Sequence, residues 1–107
     1  MGGMSTTTDT LPLLADAVRR RRAVQLLYDD AWRIVHPHAL GRTTGGKLSL
    51  LAWQTAGFGR SAIPEGWRLF DLDRIVAAEV LLAGFAPRPH PSSGRWSAGL
   101  SEELVAV

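Results

Sequence analysis

The spacing of apolar residues changes from helical to alternating near residue 23. Before that point, apolar side chains recur every three or four positions, which puts them on one face of an amphipathic helix. Thr10 suits the N-cap position and Pro12 suits the first helical turn. We therefore predict a helix over residues 11–22 that packs this face against the rest of the fold. The face consists of Leu11, Leu14, Ala15 and Val18.

Alternation of apolar and polar residues then predicts five short strands. Asp29 and Asp30 form the first turn, and residues 41–46 and 57–66 form glycine-containing loops. The alanine-rich start of the fifth strand is equally compatible with a helix. The predicted strands cover residues 23–28, 32–38, 47–57, 67–72 and 76–85.

Beyond Phe85 the sequence changes character. The next nine letters, APRPHPSSG, have the composition of a linker. Ser101 suits an N-cap and precedes two glutamates, so we predict a short C-terminal helix. Such a helix needs a surface to dock on, with Trp96 as its anchor. The predicted organisation is a disordered stretch at residues 1–10, a folded domain at 11–85 and a C-terminal segment at 86–107.

One helix followed by five short strands predicts a mainly β fold. In a chain of 107 residues, a small bent sheet usually buries both faces by closing into a barrel. The absence of cysteine excludes disulfides and thiolate chemistry. The sequence has neither a signal-peptide pattern nor an apolar run of about 18 residues, so we expect a cytoplasmic protein without membrane contact.

Charge alone does not indicate a function, because the formal net charge is only +2. Its distribution is uneven, since residues 19–22 are four consecutive arginines. Such a run is also typical of the solvated C-terminal end of a helix, where positive charge complements the helix dipole.

Arg68 and Arg74, in the stretch WRLFDLDRI, are candidates for binding an anion. They are an even number of positions apart, so on one continuous strand they would share a face. A guanidinium binds phosphate through two parallel hydrogen bonds. The alternative is ordinary ion pairing with Asp71, Asp73 or Glu65, which contributes roughly 0–1 kcal/mol when exposed.

Three further residues extend this candidate site. Arg33 lies on another predicted strand and supplies a third guanidinium. Tyr28 could stack on a base, which contributes roughly 1–3 kcal/mol, or donate its hydroxyl proton. His36 shares a strand face with His38 and adds a pH-sensitive donor. Two histidines do not make up a zinc ligand set, and the sequence has no nucleophile elbow, P-loop or dinucleotide fingerprint. We therefore expect no metal, no cofactor and no catalysis.

The order of these features is informative. A helix ending in arginines is followed by a strand ending in tyrosine, an Arg-x-Val-x-Pro motif, a glycine-containing turn and an Arg-x-Phe-x-Leu-x-Arg-Ile motif. These features are Tyr28; Arg33, Val35 and Pro37; Leu40; and Arg68, Phe70, Leu72, Arg74 and Ile75. Over residues 11–85, this order resembles the WYL domain of bacterial transcriptional regulators.

The resemblance implies an SH3-like (Sm-like) five-stranded barrel, not an enzyme. It also implies a basic site for an anionic ligand, which in several members is single-stranded nucleic acid or a nucleotide. The Trp-Tyr-Leu tripeptide that names the family aligns with Leu48, Ser49 and Leu50, so Ser49 replaces only the tyrosine hydroxyl. Residues 1–22 are too few for the winged helix-turn-helix domain that usually precedes it, so we expect a stand-alone module.

Two functions of different classes remain open. The first is a ligand-sensing regulatory module, in which binding reorganises the loop at residues 56–66 or an oligomer interface, and a partner regulator protein reads the change. The second is a protein–protein interaction or homo-oligomerisation module without a small ligand, supported by the lost Trp-Tyr pair, the modest charge and the segment carrying Trp96. The predicted ligand-binding residues are Arg33, Arg68, Tyr28, Arg74, His36 and Ser49.

Overall fold

A computed structural model describes residues 7–55, 65–89 and 100–107. It confirms a mainly β fold with one N-terminal helix, and no helix in these ranges is long and apolar enough to span a membrane. A short 3-10 helix, Leu72–Arg74, lies between the fourth and fifth strands. In chain order the elements are α1 (Thr7–Arg20), β1 (Arg22–Tyr28), β2 (Ala31–Arg42), β3 (Leu48–Gln54), β4 (Gly66–Asp71), β5 (Ala77–Gly84) and β6 (Glu102–Ala106).

The strands form one antiparallel sheet in the order β4-β3-β2-β1-β5, with β6 added to β2. The long strand β2 pairs with β1 through its first half and with β6 through its second half. The sheet is open, so the expected closure into a five-stranded barrel is not observed. After the 3-10 helix, the Val76 amide donates to the Leu27 carbonyl at 2.9 Å, which starts β5 along β1 rather than along β4.

Helix α1 covers one face of this sheet, here called the core face. Its fully buried residues Leu14 and Val18 pack with Leu26 of β1 and Phe70 of β4. The opposite face of the sheet is called the outer face. The helix begins at Thr7, several residues before the predicted start, so Thr10 lies inside the helix and is not its N-cap.

The C-terminal segment is a strand, so the predicted C-terminal helix is wrong. Ser101 donates both its amide and its hydroxyl to the Arg42 carbonyl, and the Val107 amide donates to the His38 carbonyl at 2.9 Å. Strand β1 does not extend along the second half of β2, so that edge is free to pair with β6. In this position Val105 and Val107 pack against the core. A helix of the same length would be unstable alone, whereas this strand completes an existing hydrogen-bond ladder.

Gly41 permits the close approach of β6. A Cβ at this position would lie 2.0 Å from the Glu102 carbonyl oxygen. Because that oxygen belongs to the backbone, a side chain at position 41 can be accommodated only if β6 moves away.

We predict that Gly41→Ala detaches β6 while the rest of the sheet persists. The forced displacement should cost about 1–3 kcal/mol of unfolding free energy. Hydrogen exchange should show loss of protection for the β6 amides and retained protection in β1–β3. The matched control is Gly45→Ala, whose added Cβ meets nothing closer than 3.9 Å. Unchanged β6 protection in Gly41→Ala would contradict the role given to this glycine.

Candidate anion-binding site

Three strands place polar side chains along a diagonal of the core face. These residues are Arg33 of β2, Gln54 of β3 and Arg68 of β4. Arg33 and Arg68 each lie two residues along their strands from the position that pairs with Gln54. Val35 opposes Gln54 and Ala52 opposes Arg68, and both apolar partners are buried in the core. Strand alternation therefore directs these three polar residues toward the interior side of the sheet.

Arg33 is buried, with 9% of its surface exposed. Its Nε donates to the Tyr28 carbonyl at 3.1 Å and its Nη1 donates to Oε1 of Gln54 at 3.2 Å. Both acceptors are neutral, and no carboxylate within the described ranges forms an ion pair with it. Burial, followed by the charge of Arg68, lowers the pKa of Arg33, so these two guanidiniums lie close enough to repel each other.

Arg68 is half-buried and shares the core face with Phe70. The alternative that it pairs with Glu65 or Asp71 is not observed in the described residues. Glu65 instead accepts from the indole of Trp53 at 3.3 Å. Asp71 lies 3.4 Å from the ammonium of Lys47. The described part of the chain thus offers the Arg68 guanidinium neither a hydrogen bond nor an ion pair.

Arg33, Arg68 and Arg74 are together called the arginine cluster. Arg74 is its exposed member and forms an ion pair with Asp29. The hydrogen bond that Arg74 donates to the Asp29 carboxylate is the main cause of the raised Arg74 pKa. Asp29 and Asp30 have φ values of 52° and 61°, as a two-residue hairpin turn requires. The turn between β1 and β2 therefore holds Asp29 next to Arg74, in place of the carboxylates of Asp71 and Asp73 that the sequence suggested.

Tyr28 lies at the centre of the arginines. The guanidinium carbons of Arg33 and Arg74 lie 5.5 Å and 5.0 Å from its ring centroid, within the range of cation–π contacts. Its hydroxyl accepts from the Asp71 amide at 3.1 Å, and its ring meets Phe70 edge-on at 4.9 Å. With only 4% of its surface exposed, Tyr28 has no open face for a base, so its role is to orient the arginines.

The structure brings together four of the six predicted site residues, which are Tyr28, Arg33, Arg68 and Arg74. His36 faces the outer side of the sheet, and Ser49 lies buried between Gly41 and Asp71 on the face opposite Leu50. No group of metal-ligating side chains occurs in the described part of the chain. Most of the loop that was predicted to reorganise on binding, residues 56–66, lies outside the described ranges.

Gln54 and Asp29 belong to the site although the sequence analysis did not select them. Gln54 is fully buried at the end of a mostly apolar strand, and a polar residue in that position needs a partner. That signal was present in the sequence. The contact of Asp29 with Arg74 joins residues 45 positions apart and depends on the hairpin geometry.

His36 contacts a different set of residues. Its ring stacks on that of Phe85 with centroids 4.8 Å apart and planes 2° from parallel. Burial, followed by the charge of Arg88, lowers its pKa. His36 is therefore held in its neutral form on the outer face.

We predict that Arg68→Met stabilises the protein. It removes the like charge next to buried Arg33 and retains most of the apolar stem, so the unfolding free energy should rise by roughly 0.5–2 kcal/mol. Urea denaturation at low salt measures this, and added salt should shrink the difference. The matched control is Arg19→Met on the exposed helix surface, which should bring no gain. Destabilisation by Arg68→Met would mean that Arg68 is a structural residue.

We also predict that His36 makes the stability depend on pH. Its folded-state pKa lies below the unfolded value of about 6.5, so on acidification the unfolded chain takes up a proton first. Stability should fall as the pH drops from about 7 to about 5.5. His36→Phe, which keeps a ring against Phe85, should reduce this loss in urea denaturation at the two pH values. An equal loss in both proteins would rule out His36 as the cause.

A comparison with protein-family models identifies the family of this chain. The family model described as "WYL domain" matches residues 9–80 of the 107. Neither the curated proteins nor the solved structures include a match. The matched stretch contains all but the first two residues of α1, the first four strands, the first half of β5 and every residue of the arginine cluster. The chain therefore belongs to the WYL-domain family, whose members are regulatory, ligand-sensing modules of transcriptional regulators.

Proposed function

We propose that this chain senses an anionic ligand through Arg33, Arg68 and Arg74 around Tyr28, and that a partner regulator protein reads the bound state. The ligand class is single-stranded nucleic acid or a nucleotide. One observation carries the proposal. Arg33 and Arg68 are neighbouring positive groups on the core face, and the described residues provide neither of them with a carboxylate partner.

A pair of like charges in a partly buried position lowers stability unless a counter-charge is present. An anion placed between the two guanidiniums would relieve that repulsion and gain charge-assisted hydrogen bonds. Arg33 is already oriented for this, because Tyr28 and Gln54 engage only two of its N–H groups. The remaining N–H groups can donate to phosphate oxygens without further ordering of the side chain.

The site favours recognition of phosphate over recognition of bases. The Tyr28 ring is enclosed, so the described part of the site has no exposed aromatic platform on which a base could stack. Contacts through guanidiniums alone are tolerant of sequence and sensitive to salt. We therefore propose that the phosphate groups of an oligonucleotide or nucleotide supply most of the affinity.

The alternative proposal is a protein-interaction or homo-oligomerisation module. It is favoured by the exposure of Trp32, at 47%, and Leu82, at 92%, on the strands of an open sheet. However, strand β6 of the C-terminal segment, which the sequence analysis expected to need a partner surface, pairs with β2 of its own chain, and Trp96 lies outside the described residues. That pairing weakens the alternative proposal and does not affect the argument from the arginine cluster.

We predict that labelled single-stranded DNA and RNA oligonucleotides, or a labelled nucleotide, bind the full chain with an affinity that falls as salt rises. For single strands, log K should change with log salt by about −0.7 per phosphate contacted. Arg68→Met should weaken binding about tenfold or more. It should also make the salt slope less steep by about 0.7, which corresponds to one phosphate contact fewer. Fluorescence anisotropy across a salt titration measures both quantities.

Arg19→Met serves as the control for removal of one positive charge away from the site, and it should bind as the wild type does. If none of the probes binds at low salt, the arginine cluster is not a phosphate site. If Arg68→Met and Arg19→Met weaken binding equally, the affinity comes from general charge. Either result would move the search to protein partners.

A further inference from the structure

Residues 85–89, here called the strap, run across the outer face of the sheet after β5. The Phe85 amide donates to the Arg21 carbonyl at 3.0 Å, which anchors the start of the strap. The Phe85 ring lies over two histidines of β2. It is parallel to His36 at 4.8 Å and tilted against His38 at 5.1 Å.

His38 holds the strap by its backbone. Its Nδ1 lies 2.7 Å from the His36 carbonyl oxygen, and its Nε2 accepts from the Arg88 amide at 3.0 Å. A carbonyl only accepts and an amide only donates, so Nδ1 carries the proton and the ring is neutral. The His38 side chain is fully buried, so this acceptor is fixed in place for a peptide N–H.

The Arg88 side chain lies on a pair of tryptophans. Its guanidinium carbon is 3.9 Å from the ring centroid of Trp53, close enough for a strong cation–π contact. Trp67 meets Trp53 at 5.6 Å with the planes 89° apart. The indole of Trp53 donates to Glu65 at 3.3 Å, which fixes its orientation.

The sequence of the strap, FAPRP, has the chemistry of a recognition peptide. Pro87 and Pro89 flank Arg88 and restrict the backbone to extended conformations. Proline-rich segments commonly dock in aromatic-lined grooves in this form, because little conformational entropy is left to lose. Histidines and tryptophans from three neighbouring strands supply such a groove here.

We propose that His36, His38, Trp53 and Trp67 form a binding groove for a proline-flanked arginine segment of a partner protein, and that the strap occupies it as an intramolecular competitor. The groove makes three kinds of contact with the strap: one backbone hydrogen bond, one cation–π contact and one ring stack. None of them depends on a covalent connection to β5. A peptide in trans can therefore make all three.

The occupant in trans is a different protein and not a second copy of this chain. A second copy carries the same strap, whereas the tethered strap is held at an effective concentration of about millimolar or above. Exchange between copies therefore gains no new contact. A partner displaces the strap only if it adds contacts of its own beside the proline-flanked arginine.

The first experiment opens the groove in the full chain. The variant Phe85→Ala/Arg88→Ala removes the two side chains through which the strap contacts the rings of the groove, and circular dichroism checks that it remains folded. The probe is a fluorescein-labelled peptide with the sequence GFAPRPHP, which copies residues 84–91. We expect this variant to bind the peptide at least about tenfold more tightly than the wild type does, since the strap no longer competes. Anisotropy measures both affinities.

Specificity is tested in the opened variant. Replacing the peptide arginine by alanine, or adding Trp53→Ala to the protein, should weaken binding about two- to fivefold, as expected for loss of a solvent-exposed cation–π contact. Val76→Ala, at an exposed residue before β5, is the matched control and should leave the affinity unchanged.

A second variant keeps the proposal testable if the double variant does not fold. Arg88→Ala alone removes one exposed side chain, and its tryptophan fluorescence should respond to the unlabelled peptide. If neither folded variant binds the peptide at millimolar concentration, or if binding does not depend on the peptide arginine, the strap is only structural packing and the proposal is wrong.

Discussion

The buried guanidinium of Arg33 is the constraint on which the site depends. A buried cation requires acceptors, and the structure supplies them from the end of β1, through the Tyr28 carbonyl, and from β3, through Gln54. These two hydrogen bonds tie the β1–β2 hairpin to the third strand. They hold the side chain in place, but no carboxylate in the described part of the chain forms an ion pair with it, and nearby Asp29 is instead paired with Arg74. The Arg33 side chain is thus held in position by hydrogen bonds while its positive charge lacks an ion pair. A site in this condition can accept an anion.

Strand alternation explains why the same three strands carry two different surfaces. Trp53 and Gln54 are neighbours in β3, as Trp67 and Arg68 are in β4, so each strand places an aromatic residue outward and a polar residue inward. In β2 the same rule separates Arg33 from His36. The register shift between Pro37 and Ala39 lets His38 be buried while it receives the strap amide. The same strand pairing therefore determines which residues lie on the core face and which lie on the outer face.

Much of this architecture could be predicted from sequence, because periodicity reports which residues are buried. The helix, the first five strands and the meeting of Tyr28, Arg33 and Arg68 followed from alternation and from the resemblance. The alternation had already put His36 and Arg33 on opposite faces, so including His36 in one site with Arg33 conflicted with the pattern itself. The C-terminal strand could not be found in this way. It depends on a free edge of β2 and on the absence of a side chain at Gly41, which are properties of the assembled sheet.

The two surfaces differ in charge preference, and this bears on what each can bind. The core-face cluster gathers guanidiniums around an enclosed tyrosine, so a cationic segment would meet repulsion there. The outer face presents the π surface of tryptophans and a neutral histidine acceptor, which suit a guanidinium and a peptide amide. An arginine-bearing peptide and a phosphate ligand would therefore bind on opposite faces without competing directly. Any influence of one on the other has to pass through the shared backbone of β3 and β4, where the outward tryptophans and the inward polar residues are adjacent in sequence.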